Sequence, residues 1–480
     1  MKRKHLLAAA LLAAFSLPAY GHDRDDDDRD DRGGWKPVDP ALVTARQKFF
    51  GIENVDSRGR VKKDKVIASW ATNTTYVVSV LGRVILLDSY INRPELPTSP
   101  IDRRRTPILP QDLADARPEA IFLGHGHGDH ADNAAYIAKR TGATIYASPE
   151  TCDIMQSDVT RMWNDPNAVN GGAKIVPSPD PVKCVEVVPR GSRPGQYDET
   201  TGMAKATRLH QLGSDACILA FKFIHSGTAP VDPSFTHTPL SNLGDPRYAG
   251  RVIETPPPAI TYPAMFPVGT SLFPSTTPVP GQMELRTGRG LPPGTNLGGA
   301  ITIFYQFVLR GENGFSFAWL NSAGPATEGI GGDPGLVTLA QYLDPATPPA
   351  NLDLARRIGA SLYDLMDRLP ATDVFFGSIV SLGAGNNQQR DITKVIQRLK
   401  PRIYYPGHLT DVAQAGSGHY HKINWRETAF AMGFPQSEWP EFRLQIDPND
   451  FLVPQVFDPG DRRWAKSGED RYRNHHSACR

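Results

Sequence analysis

Short apolar runs separated by turn residues dominate the chain up to residue 225. They predict strands at 65–70, 75–81, 83–87, 120–123 and 144–147, and two more within 205–224. Gly82 between two of these runs predicts a tight hairpin. Helical patterns follow Pro40 and occupy 134–141, where Gly142 ends the helix. This alternation favours sheets that are covered by helices.

The pattern changes at 226–300, which holds 14 prolines and little periodicity. A segment of this length inside a compact enzyme is usually either functional or disordered, and its aromatic residues favour a packed lid over a loose linker. Beyond it, strands are predicted at 300–309, 315–320, 373–377 and 403–405. Helices are predicted along the apolar stripe 354–369 and after Asp391 as an N-cap. The tail, 412–480, is expected to pack on the outside as an extension.

The amino terminus has the pattern of an export signal. Basic residues 2–5 precede the apolar run 6–17, which is short for a membrane span, and small residues at 19–21 suit cleavage after Gly21. An uncleaved membrane anchor is the alternative. Residues 22–34 form a charge run that is expected to be a disordered acidic linker. The mature protein is therefore expected in the periplasm or outside the cell, without a membrane anchor.

The composition of the chain limits the classes of binding partner that we expect. The formal net charge of the 480 residues is +1, so no basic field indicates a nucleic acid, and a small-molecule substrate is expected. The four cysteines show no C-x-x-C spacing that would indicate a thiolate zinc site. Export permits a disulfide, for which Cys152 and Cys184 are the first candidates, whereas Cys217 lies in an apolar run and is expected in the core. The oligomeric state is not predicted.

The densest chemical signal is an H-x-H-x-D-H motif that follows the apolar run 120–123. Its side chains are those of His125, His127, Asp129 and His130, and glycines between them allow a tight turn. Imidazole and carboxylate groups at this density indicate a site for zinc or a similar metal. A solvent-facing polar loop is the alternative. Three single residues also stand where predicted strands end, namely Asp88, His225 and His408.

In this order, an Asp at a strand end, H-x-H-x-D-H, a later His and a final P-G-H, the chain resembles the metallo-β-lactamase superfamily. The resemblance implies an α+β fold, namely an αββα four-layer sandwich with metals at the sheet edge, here at 35–411 with 226–300 as a large Pro-rich insertion. The long stretch between Asp88 and the motif is similar to the lactonase and phospholipase-D-like branches.

The resemblance also implies the ligands. One metal would be held by His125, His127 and His225, and another by Asp129, His130 and His408. Asp88 would support the motif loop through hydrogen bonds to the ligands. Asp129 would also be catalytic, because it would orient the attacking water or take its proton.

One position departs from the superfamily, which usually places a metal-bridging aspartate after the strand at 315–320. Here Asn321 or Ser322 occupies that place. A neutral side chain compensates the repulsion between two dications poorly, so the second site is expected to be weakened. Asp333 and Asp411 are candidate substitutes.

The expected function is an exported metal-dependent hydrolase, in which a zinc-activated water attacks an ester, lactone, amide or phosphodiester. One Zn²⁺ is expected, and a second depends on the weakened site. His210, His237, His419 and His421 could protonate a leaving group, although a surface role is preferred for each. The alternatives are a catalytically weakened metal- or ligand-binding module of the same fold and a nucleic-acid-processing enzyme.

Overall fold

The computed structural model describes residues 37–91, 108–164, 169–170, 173–227, 230, 301–309, 314–378, 387–408, 418–445 and 452–465. The predicted signal peptide, the acidic linker and almost all of the insertion at 226–300 lie outside these residues. The chain divides into two compact units, residues 1–39 and 40–480. All elements given below belong to the second unit.

A first sheet has seven strands in the described part of the chain. Its strands are β1 (Val66–Thr72), β2 (Thr75–Val80), β3 (Arg83–Leu87), β4 (Ala120–Phe122), β5 (Thr144–Ala147), β8 (Cys184–Glu186) and β16 (Gln455–Phe457). They lie in the order β16-β1-β2-β3-β4-β5-β8. β16 to β3 are antiparallel, whereas β3, β4, β5 and β8 are parallel. Leu81 and Gly82 both have positive φ in the predicted β2–β3 hairpin, as a type I′ turn requires.

A second sheet likewise has seven strands among the described residues. Its strands are β9 (Thr207–Leu209), β10 (Ala216–Ile224), β11 (Ile301–Leu309), β12 (Ser316–Leu320), β13 (Val374–Ser378), β14 (Ile403–Gly407) and β15 (Glu441–Phe442). β9 to β12 are antiparallel, and β12 to β15 are parallel. Two further short strands, β6 (Val169–Asn170) and β7 (Ala173–Lys174), pair with each other.

Helices occupy the remaining regular parts of the described chain. They are α1 (Pro40–Phe50), α2 (Pro110–Asp115), α3 (Gly128–Ala131), α4 (Ala134–Thr141), α5 (Pro149–Asn164), α6 (Leu339–Leu343), α7 (Pro349–Asp367), α8 (Asn387–Leu399) and α9 (Gly418–Ala431). Short 3₁₀ turns lie at Ile52–Asn54, Pro194–Gln196, Gln436–Glu438 and Arg462–Trp464.

The two sheets stack face to face between helical layers. Alternate side chains of β12 show this: Phe317 and Trp319 enter the core shared by both sheets, whereas Ala318 and Leu320 enter a second core under α7, α8 and α9. Residues of α1, α4 and α5 join the first core. The predicted αββα sandwich is therefore confirmed for the described residues.

Two predicted details differ from the structure. Asp391 lies inside α8, which begins at Asn387, so Asp391 is not the N-cap. Its buried carboxylate instead pairs with Arg390 at 2.8 Å. The segment after residue 411 does more than pack outside, because it supplies β15 and β16 as edge strands of the two sheets. Neither short strand has the alternating pattern by which strands are recognised in a sequence.

Cys152 in α5 and Cys184 in β8 form a disulfide, as predicted. Cys217 is buried in β10, which agrees with the prediction that it lies in the core. Among the residues described, none of the helices combines the length and apolar character needed to span a bilayer.

Candidate metal centre

The candidate site is built from residues that follow strands of both sheets. β3, β4 and β5 are parallel, and so are β12, β13 and β14, so their carboxyl ends meet at one edge of each sheet. The residues that follow strands at this site are Asp88 after β3, His125 and His127 after β4, His225 after β10, Asn321 after β12 and His408 after β14. Asp88 and His408 have left-handed φ values of 54° and 65°, which turn the chain sharply where the strand ends.

Three of the predicted ligands form one compact group. The nearest ring nitrogens of His125, His127 and His225 all lie within 4.8 Å of one another. Nε2 of His125 is 3.0 Å from Nδ1 of His127. Among the described residues, these three histidines form the group of at least three His, Cys, Asp or Glu side chains that could hold one metal ion. Three converging imidazoles fit a zinc site with an open position.

Partners on the other ring nitrogen orient two of these imidazoles, those of His125 and His225. Oδ1 of Asn321 lies 3.1 Å from Nδ1 of His125, and the backbone carbonyl of Ser226 lies 2.5 Å from Nδ1 of His225. An oxygen acceptor at Nδ1 places the proton there and leaves Nε2 as the lone-pair donor. Such outer partners are typical of metal-binding histidines.

Burial favours the neutral form of His125 and His225. It lowers the pKa of His125 well below its usual value, and the neighbouring rings of His130, His127 and His225 act in the same direction. Burial, and next the ring of His127, lower the pKa of His225 to about 3. Neutral imidazole is the form that binds a metal, so the environment prepares both rings for that role.

A second group consists of His130 and His408. Their Nε2 atoms lie 3.2 Å apart, and the ring of His130 is centred 4.1 Å from that of His125. Nδ1 of His130 lies 2.8 Å from the carboxylate of Asp88 and 2.8 Å from the hydroxyl of Thr74. The backbone N–H of His408 donates to the carbonyl of Asn73 at 3.0 Å. Asp129 belongs to α3, but its side chain lies outside the described part of the structure.

Asp88 connects the two groups. Besides its contact with His130, its carboxylate accepts hydrogen bonds from the Thr74 hydroxyl at 2.7 Å and from the Gly124 N–H at 3.1 Å. The amide of Asn321 donates to it at 3.0 Å. Asp88 is fully buried. Support of the ligands by Asp88 stays a prediction, and Thr74 is a partner of Asp88 that the sequence did not suggest.

The two residues at the expected bridging position face different neighbours. Asn321 lies between His125 and Asp88, whereas Ser322 accepts from the Ser226 N–H at 2.8 Å. The candidate substitute Asp333 instead forms a buried ion pair with Lys222 at 3.1 Å. The other, Asp411, lies outside the described residues.

The additional histidines are not brought into either group. His210 is exposed at a turn before β10. His237 and the side chains of His419 and His421 lie outside the described part of the chain.

Two glycines allow the loops to pack this closely. A Cβ on Gly124 would lie 2.1 Å from the Asn321 amide, and a Cβ on Gly324 would lie 1.9 Å from the carbonyl oxygen of His225. Gly124 directly precedes the H-x-H-x-D-H motif, and its close approach to Asn321 joins positions that lie almost 200 residues apart in the sequence. Thr74 was missed because a threonine in a turn is too common to signal a site.

The model of the metallo-beta-lactamase superfamily matches residues 71–201, which include Asp88 and the H-x-H-x-D-H motif. The matched segment, residues 71–201, belongs to the metallo-β-lactamase superfamily. The family predicted from the motif order is thus confirmed, and this superfamily together with the histidine group implies a metal cofactor.

Relatives agree with this membership. A UPF0173 metal-dependent hydrolase of Pyrobaculum neutrophilum is 30% identical over 107 residues, 22% of this chain and 43% of the relative. Another, from Myxococcus xanthus, is 30% identical over 94 residues, 19% of this chain and 29% of the relative. The chain thus spans less than half the length of either. Igni18, a metallo hydrolase from Ignicoccus hospitalis, is a structural neighbour at 12% identity and a TM-score of 0.36, covering 82% of this chain and 98% of its own.

Proposed function

We propose that this protein is a zinc-dependent hydrolase. The observation that carries the proposal is the convergence of His125, His127 and His225, whose ligand atoms lie within 4.8 Å of one another. Three imidazoles, of which those of His125 and His225 have outer hydrogen-bond partners, form a donor set that suits Zn²⁺ and leaves a coordination position for water or substrate. The printed name of the relatives, metal-dependent hydrolase, supports the same reaction class.

In this proposal, three histidines bind the metal and two further residues orient them. His125, His127 and His225 would hold the ion, which when bound lowers the pKa of a coordinated water to about 7 and polarises a carbonyl or phosphoryl oxygen. Asn321 and Ser226 would keep the rings of His125 and His225 oriented.

The H-x-H-x-D-H motif also supplies a candidate general base, Asp129. Asp129 would orient the attacking water or accept its proton, and the position of this residue in H-x-H-x-D-H supports that role. His130 and His408 would contribute to a second metal site with Asp129. Their facing Nε2 atoms support this role, since each nitrogen can offer a lone pair to one ion.

The substrate is proposed to be a small molecule with an ester, lactone, amide or phosphodiester bond. The near-neutral charge of +1 supports this choice over a nucleic acid. The amino-terminal pattern supports export, so the proposed location is the periplasm or the cell exterior.

A metal- or ligand-binding module with weakened catalysis is the second candidate. It is favoured by Asn321 and Ser322, since neither offers a carboxylate between the two histidine groups. The two candidates differ in whether a bound ion keeps a position that water can exchange.

Metal analysis combined with an activity panel tests the proposal. Purified protein should contain at least one equivalent of zinc and hydrolyse a member of a panel of esters, lactones, amides and phosphodiesters. Chelation should abolish that hydrolysis, and added Zn²⁺ should restore it. If zinc-replete protein binds metal but cleaves nothing in the panel, the second candidate is correct instead.

His210→Ala is a matched control for the ligand variants because it removes an exposed histidine outside both groups. It should retain zinc content and activity. A loss of zinc equal to that of a ligand variant would contradict the assignment of the ligands.

A further inference from the structure

Asn321 is one of two residues at the place from which the superfamily usually supplies a carboxylate, and both ends of its amide are engaged. Its Oδ1 lies 3.1 Å from Nδ1 of His125. Its Nδ2 donates to the two oxygens of Asp88 at 3.0 Å and 3.3 Å. The side chain is fully buried. A residue whose polar atoms all face protein partners is poorly placed to bind an ion directly.

The neighbours of Asn321 determine how its amide is oriented. Asp88 offers oxygen acceptors, so the NH₂ end must face Asp88 and the carbonyl end must face His125. Nδ1 of His125 therefore carries the ring proton, and its Nε2 presents a lone pair. That Nε2 lies 3.0 Å from Nδ1 of His127, on the side where the three histidines converge.

The same contacts join the two histidine groups. Asn321 contacts His125 on one side and Asp88 on the other, and Asp88 contacts His130 at 2.8 Å. Gly124 leaves the space that Asn321 fills, because any Cβ there would overlap the amide. The planar amide of Asn321 therefore fits in the space beside Gly124, between His125 and Asp88.

We propose that Asn321 is a positioning residue for the metal centre. It fixes His125 in the tautomer that presents Nε2 to the ion, and through Asp88 it couples this group to His130 and His408. The inference rests on the proposed metal site. It differs from a bridging role, in which residue 321 would itself contact metal.

Asn321→Ala removes the acceptor at Nδ1 of His125. ¹⁵N NMR of histidine-labelled, metal-free protein should show His125 mainly as the Nδ1–H tautomer in the natural chain and as a tautomer mixture in the variant. Affinity for the first Zn²⁺, measured by competition with a chelator, should fall about 10- to 100-fold. An unchanged tautomer together with an unchanged affinity would overturn the proposal.

Asn54→Ala is the matched control. Asn54 is also buried, and it donates to the carbonyl of Phe50 away from the site. The control variant should lose stability without a change in zinc affinity or in the tautomer of His125. If Asn54→Ala weakened zinc binding as much as Asn321→Ala does, the loss of zinc affinity in Asn321→Ala would come from lower stability and not from positioning of His125.

Asn321→Asp distinguishes positioning from bridging. A carboxylate at 321 would face Asp88 at hydrogen-bond distance, and repulsion should weaken the first zinc site at least as much as Asn321→Ala does. Combining it with Asp88→Asn exchanges amide and carboxylate, which should restore part of the first-site affinity. A gain of a second zinc equivalent in Asn321→Asp alone would instead show that 321 is a bridging position.

The two proposals can fail separately. If the natural protein binds no zinc through its histidines, the proposed function fails. The tautomer of His125 in metal-free protein still tests the role of Asn321 in that event.

Discussion

The two histidine groups lie side by side but are built differently. In the first, three imidazoles converge, and their outer partners are neutral oxygens from Asn321 and Ser226. In the second, two imidazoles face each other, and the outer partners are the carboxylate of Asp88 and the hydroxyl of Thr74. The first group has enough described donors for a catalytic zinc site, whereas the second needs a further ligand. We therefore expect the first group to dominate metal binding and Asp88 to support both groups.

Removal of a ligand from the first group should have the largest effect. His127→Ala leaves two imidazoles, so tightly bound zinc should be lost and hydrolysis should fall more than about 100-fold, beyond the loss typical for an outer partner. Zinc content and steady-state rates of the same preparations measure this. If the variant retained as much zinc as the natural protein, His127 would not be a zinc ligand.

Asp88→Ala should rank second because it affects both groups. The Gly124 N–H, the Thr74 hydroxyl and the Asn321 amide would lose a buried acceptor, which should lower the free energy of unfolding by about 2–4 kcal/mol. Zinc affinity should fall about 10- to 100-fold. Denaturant unfolding of metal-free protein and zinc competition give the two values. A change in stability without a change in affinity would show that Asp88 supports the fold but not the ligands.

His408→Ala should have a smaller effect and should separate the groups. The first zinc should remain with its affinity unchanged, while any second equivalent should be lost and hydrolysis should fall about 10-fold. Titration with Zn²⁺ followed by isothermal calorimetry distinguishes the two equivalents. Loss of the first zinc in this variant would contradict the division into two groups.

The effect of pH should be the smallest, and the histidines of the first group should contribute to it. Burial lowers the pKa of His225 to about 3 and also lowers the pKa of His125 below its usual value. Below about pH 6.5 these two histidines therefore bind more protons in the unfolded chain than in the folded protein. These two histidines should therefore lower the stability of metal-free protein as the pH drops from about 6.5 toward 3, and should not lower it at higher pH.

Urea unfolding at pH 7.5 and pH 5.5 measures this dependence. His225→Ala removes one of the two shifted groups and should flatten the difference between the two conditions. An identical difference in the variant would show that His225 does not contribute.

Strong local patterns made much of the fold predictable. The helix ending at Gly142 and the hairpin at Gly82 depend on positive φ at glycine, which adjacent residues determine. The edge strands β15 and β16 were not predictable, because two or three residues carry no period of their own and pair only when a sheet is present. Asp391 suited an N-cap locally, but its pairing with Arg390 stabilises it inside α8.

The sequence by itself determined the superfamily and the candidate ligands, because H-x-H-x-D-H concentrates donors within six positions and His225 and His408 follow recognisable strands. The tertiary structure decided how those donors are grouped and what orients them. Asn321, Asp88 and Thr74 are far apart along the chain and meet only where the sheet edges align, since hydrogen bonds depend on distances in space. For that reason the sequence could show Asn321 only as a missing carboxylate, and the structure shows it as the contact between His125 and Asp88.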